Sequence, residues 1–351
     1  MILLLMKQVI FSLEGVLRRM ANLTRDFFIA LSNNKFLNNS AKKWGYSLGA
    51  EQFVAGTDID SVMKSVKRLN DKGISCTVDN LGEFVTKKAE STAAKNKIIE
   101  VIERIHKEQV DCHVSVKLTQ LGLDINEEFC LENMREIVGT ANKYNIFINI
   151  DTEDYGHYAP TMRVLNELLK DYKNVGTVIQ SYFYHAEEDM DKLNDVRLRI
   201  VKGAYKESEE VAYQSKEDID RNFLKLAKKR LKGNAFTSIA THDHNIINEL
   251  KLFVEEEGID KNNFEFQMLY GFRTDMQESL ANEGYLFCTY LPFGDEWYGY
   301  FMRRLAERPQ NINLILKDKL YTSDNKLRKT PIIVGAASLA TIAYLFTRRK
   351  K

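Results

Sequence analysis

The strongest constraint on the fold is the alternation of eight short apolar or β-branched runs with longer, charged amphipathic stretches. This pattern is typical of βα units repeated around a parallel sheet, and eight such units predict a (βα)8 barrel. Helical periodicity is visible between the runs, for example over Ala94–Lys107, Thr161–Lys170, Arg221–Leu231 and Asp275–Glu283. The predicted strands are Ile74–Val78, His113–Leu118, Ile146–Ile150, Gly176–Ile179, Val196–Val201, Ser238–Ala240, Phe264–Met268 and Leu286–Tyr290.

Polar residues lie at or just beyond the C-terminal ends of the predicted strands. In a (βα)8 barrel these ends meet on one face, and the active site is found there. Any one of these residues alone would read as a capped or solvated loop residue, but the whole series predicts a functional site. The series is Asp79, Lys117, Asp151, Gln180, Arg199 with Lys202, Thr241 with His242, Gln267 and Tyr290.

A second constellation follows the eighth predicted strand, in a stretch with helical periodicity. If this stretch is a helix, Tyr300, Arg303, Arg304 and Glu307 share one face of it. Arginine presents a rigid planar fork that matches a carboxylate, and a neighbouring aromatic ring can pack against an apolar ligand body. The alternative is an ordinary solvated helix with an Arg/Glu ion pair.

Composition excludes several other classes of function. The 50 basic and 49 acidic residues nearly cancel, so we expect no nucleic-acid partner. The four cysteines are widely spaced and read as buried thiols in a reducing compartment. We predict no metal site, because the His242-Asp-His244 triplet lacks a further ligand cluster. Neither a GxGxxG nor a P-loop motif is present, which disfavours a Rossmann dinucleotide site.

From about Leu48 to Asn311 the chain resembles the proline dehydrogenase family, FAD-dependent enzymes that occur alone or within bifunctional proline-utilisation proteins. The order and spacing of the motifs are specific, whereas any one motif alone is weak. Two small departures are Thr152, where alanine is usual, and Asp243, where asparagine is frequent. The segments that carry the resemblance are Asp79–Glu83, Val114–Lys117, Asn149–Asp151, Gln180–Tyr182, Arg199–Tyr205, Ala240–His242, Phe264–Gly271 and Tyr290–Glu307.

The resemblance implies oxidation of L-proline to Δ1-pyrroline-5-carboxylate on a distorted TIM barrel, the first step of proline catabolism to glutamate. Arg303 and Arg304 would bind the proline carboxylate with help from Lys117. Asp151 would orient this cationic cluster, and Glu83 would pair with an arginine over the pocket. The alternative for both Asp151 and Glu83 is that they form ordinary ion pairs at the mouth of the barrel. The implied substrate-binding residues are Lys117, Arg303, Arg304, Tyr290, Tyr300, Tyr205, Leu269 and Glu83.

The resemblance also implies an FAD site, with hydride passing to the flavin N5. Arg199 would lie near N5, where its charge favours the reduced flavin, and Asp151 and Arg199 would form the catalytic pair. No side chain is nominated as the base for the substrate amine, and solvent can serve. The further cofactor-binding residues implied are Thr152, Gln180, Lys202, Gly203, Ala204, Thr241, His242, Gln267 and Glu307.

Beyond the resemblance lies an apolar run at residues 331–346, flanked by basic residues. At roughly 1.5 Å per residue it reaches about 24 Å as a helix, short of the roughly 30 Å hydrocarbon core, so a spanning anchor is marginal. An interfacial helix or a helix that pairs with a partner fits the same composition. We expect membrane contact here, because the family passes electrons to a membrane quinone. The Met1–Met6 run is too short for a signal peptide.

These observations predict three regions and one location. Residues 1–70 form an N-terminal helical segment of the catalytic domain, residues 71–329 the flavin-binding barrel, and residues 330–351 a hydrophobic and basic tail helix. The protein is expected to be cytoplasmic, on the inner face of the membrane, with Δ1-pyrroline-5-carboxylate dehydrogenase as a possible partner. The alternatives are a dehydrogenase of hydroxyproline or another imino acid, and a non-catalytic barrel that recruits partners to a membrane. Tyr290 favours proline, because its ring would crowd a ring hydroxyl.

Overall fold

The computed structural model describes the backbone of residues 50–307 and the side chains of residues 51–302. Residues 50–297 form one unit, which contains the whole β-sheet, and residues 298–307 belong to a second unit. The apolar run at 331–346 and most of the predicted N-terminal segment lie outside the described residues. Among residues 50–307, no helix is long and apolar enough to cross a membrane.

Eight parallel strands close into a barrel in chain order, as the sequence predicts. Each predicted strand overlaps an observed one. The strand bounds differ most at the eighth, which continues past Tyr290 to Phe293 because its last residues pair with the end of the first strand. The strands are β1 (Ser75–Asn80), β2 (Cys112–Lys117), β3 (Ile148–Asp151), β4 (Val175–Gln180), β5 (Leu198–Val201), β6 (Thr237–Ala240), β7 (Phe264–Leu269) and β8 (Leu286–Phe293).

The helices begin where short polar side chains can cap them. Asp58 accepts a hydrogen bond from the Ser61 amide at 2.8 Å before the first helix, and Asn126 and Ser215 cap the third and sixth in the same way. Short 3-10 helices cover Ala50–Gln52 and Lys261–Asn263, and the α-helices of the described residues are α1 (Ile59–Asn70), α2 (Lys88–Glu108), α3 (Glu127–Lys143), α4 (Tyr155–Leu169), α5 (Ala186–Lys192), α6 (Lys216–Leu231), α7 (His244–Glu256), α8 (Thr274–Asn282) and α9 (Trp297–Glu307).

Residues 53–58, between the start of the described chain and α1, are not helical. Helix α1 is present, but the buried stretch Phe53–Gly56 has no regular secondary structure. The Ala55 amide donates to the Pro292 carbonyl at 2.8 Å, and the Gly294 amide donates to the Gly56 carbonyl at 3.0 Å. Pairing with the end of β8 therefore satisfies backbone groups that a helix would otherwise have bonded internally.

Along the strands, apolar side chains dominate the face toward the helices, and polar side chains are frequent on the face toward the barrel interior. On β2, Cys112, Val114 and Val116 belong to the hydrophobic core shared with the surrounding helices. The alternate residues Ser115 and Lys117 face the barrel interior, in register with Asn149 and Asp151 of β3. Barrel interiors are usually filled by branched apolar residues, so this polar interior marks the site.

Candidate active site

The Lys117 ammonium lies at the centre of a buried cluster on the C-terminal face of the barrel. It donates to Asp79 Oδ2 at 2.8 Å, to Asp151 Oδ2 at 3.2 Å and to the Tyr290 hydroxyl at 3.2 Å. Its Nζ is also 3.8 Å from Glu83 Oε1. Four elements thus bring together side chains that the sequence places at separate strand ends, because β1, β2, β3 and β8 are neighbours in the barrel.

Arg199 of β5 joins this cluster from the other side of the barrel. Its Nη1 donates to Asp151 Oδ1 at 2.7 Å, and its Nη2 donates to Ser115 Oγ at 2.9 Å. The guanidinium lies over the Tyr290 ring, 5.3 Å from its centre. Since the side chain is only 4% exposed, these contacts fix its orientation. The structure therefore brings Arg199 and Asp151 into contact, and their catalytic role stays a prediction.

The electrostatics of the cluster follow from burial and from the opposed charges. Burial alone would raise the pKa of Asp151, but Lys117 and Arg199 outweigh it and hold that pKa below its usual value. Burial would lower the pKa of Lys117, yet the surrounding carboxyl groups and Tyr290 raise it well above normal. Burial, together with Asp151 and Asp79, raises the pKa of Tyr290. Lys117 is therefore an ammonium and Tyr290 a neutral phenol at physiological pH.

The remaining predicted substrate residues divide by location. Leu269 pairs in register with Tyr290 and lies beside it on the inner face. Burial raises the pKa of the Tyr205 hydroxyl, and Glu83 and Glu153 add to the effect, so this phenol lies within the field of the same cluster. Tyr300 is buried in α9. The segment that contains Arg303, Arg304 and Glu307 is helical as predicted, but these three side chains lie outside the described residues.

Apart from Glu307, the predicted cofactor residues lie on or just after β3 to β7, at the C-terminal ends of these strands. Gln180 donates to the Glu153 carbonyl at 2.7 Å, and Thr152 Oγ1 donates to the Val178 carbonyl at 3.4 Å. His242 Nε2 accepts a hydrogen bond from the Leu269 amide at 3.0 Å, so this nitrogen is unprotonated. The Lys202 ammonium pairs with Asp243 at 3.2 Å and with Asp220. Thr241, between β6 and His242, is buried.

Two buried polar atoms on this face suit a ligand that both donates and accepts hydrogen bonds. Among the described residues, the buried Gln267 Oε1 and Arg199 Nε have no hydrogen-bond partner, so they offer one acceptor and one donor. After β5, Gly203 adopts φ +112°, and a Cβ there would lie 2.5 Å from the Tyr182 ring. Position 203 therefore requires glycine, because both the backbone conformation and the adjacent Tyr182 ring exclude a side chain.

Sequence reasoning assigns no role to several residues that complete the cluster. Asn149 donates to Asp151 Oδ1 at 2.9 Å, and Ser115 contacts Thr77 at 2.9 Å. Glu153 is fully buried and accepts hydrogen bonds from the Thr119 amide at 3.2 Å and hydroxyl at 2.7 Å. The sequence signal that could have identified these residues is the alternation of side chains along a strand. Ser115 and Asn149 lie two positions before Lys117 and Asp151, and Glu153 lies two positions after Asp151, so all share the inner face.

Comparisons with known proteins agree with this geometry. Residues 62–314 match the family described as proline dehydrogenase. The chain is 45% identical over 297 residues to proline dehydrogenase 2 of Bacillus subtilis, covering 84% of this chain and 98% of that protein. It is 41% identical over 278 residues to the proline dehydrogenase of Deinococcus radiodurans, covering 77% of this chain and 90% of that protein.

A solved structure shares the fold. The crystal structure of proline utilization A from Bdellovibrio bacteriovorus, inactivated by N-propargylglycine, superposes with a TM-score of 0.72 at 24% identity. The match covers 87% of this chain but only 38% of that one, so this chain spans little more than a third of the larger protein.

Proposed function

The chain belongs to the proline dehydrogenase family and is an enzyme of proline oxidation, and we propose that it converts L-proline to Δ1-pyrroline-5-carboxylate with FAD as cofactor. The ring carbon beside nitrogen loses a hydride and the nitrogen loses a proton, so that a carbon–nitrogen double bond forms. Bound FAD supplies the two-electron acceptor for that hydride. The protein's own contribution is binding, orientation and charge.

The main support for this proposal is the Lys117 ammonium, which is buried and held in place by three hydrogen bonds. A positive charge fixed in this way can attract and orient the proline carboxylate. We propose that Arg303 and Arg304 bind the same carboxylate. At the other end of the substrate, Tyr290 and the adjacent Leu269 present an aromatic and an aliphatic surface that can pack against the pyrrolidine ring. We propose that Tyr205 and Tyr300 also pack against the pyrrolidine ring, and that Glu83 covers the substrate pocket.

Arg199 is proposed to face the flavin, with Asp151 as the group that orients it. The Asp151 contact and the Ser115 contact use the two terminal nitrogens, which leaves Nε for a ligand. A fixed cation beside a group that gains negative charge stabilises the product without reorganising at the moment of reaction. The buried Gln267 Oε1 offers the complementary acceptor. We propose that Thr152, Gln180, Lys202, Gly203, Ala204, Thr241, His242 and Glu307 complete the flavin site.

We further propose that the electrons leave through a membrane quinone. The protein would then work in the cytoplasm at the inner face of the membrane, with residues 331–346 making the contact. The product is an imine that hydrolyses to an aldehyde, so a Δ1-pyrroline-5-carboxylate dehydrogenase is the proposed downstream partner.

The experiment is anaerobic reduction of the purified protein by L-proline. We expect the visible band of oxidised flavin to bleach and the imine product to be trapped in equal amount. The Lys117→Met variant should keep its flavin but bleach far more slowly, since a charge-assisted partner of the carboxylate is lost. Lys107→Met, on an exposed part of α2, is the matched control and should behave as wild type. Wild-type bleaching by the Lys117 variant, or none by the wild type, would refute the proposal.

A further inference from the structure

One hydroxyl in the active site touches two carboxyl groups at equally short distance. The Tyr290 oxygen is 2.7 Å from Asp79 Oδ2 and 2.7 Å from Asp151 Oδ2. The same oxygen lies 3.2 Å from Lys117 Nζ. Both carboxylate contacts are in the range of strong hydrogen bonds, so each needs a hydrogen between its two oxygens.

Counting hydrogens shows that the hydroxyl cannot supply both. A phenol has one hydrogen to donate and two lone pairs with which to accept. The Lys117 ammonium only donates, so it accounts for one lone pair. If the hydroxyl donates to one carboxylate, the second contact is a hydrogen bond only when the other carboxyl carries the proton itself. Two like charges this close to one another also resist being ionised together.

The surroundings decide which carboxyl holds the proton. Asp151 accepts from Arg199 at 2.7 Å, from Asn149 at 2.9 Å and from Lys117, an environment that stabilises a carboxylate. Apart from Tyr290, the only partner described for the Asp79 carboxyl is Lys117, and Asp79 is just 3% exposed. In agreement, burial raises the pKa of Asp79 despite Lys117, and the charge of Asp151 raises it further.

We propose that Asp79 is a neutral carboxylic acid in the resting enzyme, which donates to the Tyr290 oxygen so that Tyr290 in turn donates to Asp151. The hydroxyl then has a complete set of partners: it accepts from Asp79 and Lys117 and donates to Asp151. Asp79 is a positioning residue in this scheme, because it acts on the site through Tyr290 and Lys117.

The protonation of Asp79 also sets the charge of the site, and this step rests on the proposed function. Around Asp79 the charged groups are Lys117 of β2, Asp151 of β3, Arg199 of β5 and Glu83 after β1. Among the described residues, an ionised Asp79 would set three carboxylates against two cations, and this excess negative charge would weaken the attraction of an incoming substrate carboxylate. With Asp79 neutral, the charges of these described groups balance, so the positive charge of Lys117 is less offset and attracts a substrate carboxylate more strongly.

The direct test is difference infrared spectroscopy of the ligand-free protein near neutral pH. We expect the carbonyl-stretch band of a buried carboxylic acid in the wild type and its loss in Asp79→Asn. Glu153 is the other buried carboxyl near this face with a raised pKa, at about 7, so Glu153→Gln identifies its contribution. Because Glu153→Gln removes the Glu153 band, the acid band that remains in this variant is assigned to Asp79. An unchanged acid band in Asp79→Asn would overturn the proposal.

Kinetics provide a second and independent test. The asparagine amide can donate to Tyr290 as the carboxylic acid does, whereas alanine cannot. We therefore expect kcat/KM for proline to be about tenfold higher in Asp79→Asn than in Asp79→Ala, the effect of one buried hydrogen bond. Equal losses in the two variants would contradict a neutral donor. Since the infrared band is read without substrate, it decides the protonation of Asp79 even if the wild type fails to oxidise proline.

Discussion

Replacement of Glu153 by glutamine should change how the stability of the protein depends on pH. Glu153 has no exposed surface, and burial raises its pKa to about 7, with the Thr119 hydrogen bonds and Lys117 offsetting only part of the effect. The folded state therefore prefers the protonated acid, while the unfolded chain titrates at its ordinary value. Glu153 contributes stability that is fully present below pH 4.5 and is lost as pH rises through about 7.

The magnitude follows from the interval between these two values. A pKa that rises from 4.5 to about 7 corresponds to about 3 kcal/mol of unfolding free energy. Most of it, about 2–3 kcal/mol, is lost between pH 5 and pH 8. Glutamine is uncharged throughout this range, so Glu153→Gln should not show the loss. At roughly 2 °C per kcal/mol for a protein of this size, the Tm of the variant should gain roughly 5 °C on the wild type across the interval.

The assay is thermal unfolding of both proteins at a series of pH values, with flavin release recorded in parallel. Glu132→Gln, on an exposed position of α3, is the control and should track the wild type at every pH. A constant offset between Glu153→Gln and the wild type would show only a change in packing. Parallel curves from pH 5 to pH 8 would refute the reasoning, because Glu153 would then titrate at an ordinary value.

Three further predictions concern catalysis and location. Substitution of Arg303 or Arg304 by Met should sharply reduce proline turnover with flavin retained, since each charge-assisted bond is worth roughly 1.5–3 kcal/mol; steady-state kinetics at wild-type values in both variants would contradict the assignment. Tyr290→Ser should lower kcat/KM for proline more than for hydroxyproline, because removal of the ring opens space for a hydroxyl; an unchanged ratio would mean that the ring does not wall the substrate. Deletion of residues 331–351 should preserve proline oxidation with a soluble dye but abolish sedimentation with membranes and most quinone reduction in vesicles. Loss of flavin on truncation would show instead that the tail packs on the catalytic domain.

The barrel could be predicted from the sequence because each strand repeats the same signal. Short apolar or β-branched runs alternate with longer amphipathic stretches, so eight βα units and the strand order of a barrel follow from this pattern. The bounds depart from the local pattern where tertiary pairing decides them. The extension of β8 to Phe293 depends on the end of β1, and the irregular stretch Phe53–Gly56 depends on β8, neither of which is visible locally.

The sequence predicted several of the residues that form the candidate site, but it did not predict their pKa shifts. Lys117, Asp151, Arg199 and Tyr290 are recognisable as polar residues at strand ends, and the barrel brings them into contact. The raised pKa of Glu153 could not be predicted, because an acid just after a strand reads as a solvated loop residue until its burial is known. The roles of Arg303 and Arg304 remain predictions.

The division of each strand into an apolar outer face and a polar inner face has a consequence for variation. Folding depends mainly on residues such as Val114 and Val116, while binding depends on their neighbours Ser115 and Lys117. Because the two sets alternate within one strand, specificity can diverge by exchange of inner residues while the outer packing is conserved. The same separation predicts a trade-off, since apolar replacements of buried ion pairs often stabilise proteins. Selection for heat resistance alone would therefore drive this barrel toward a durable but inactive form.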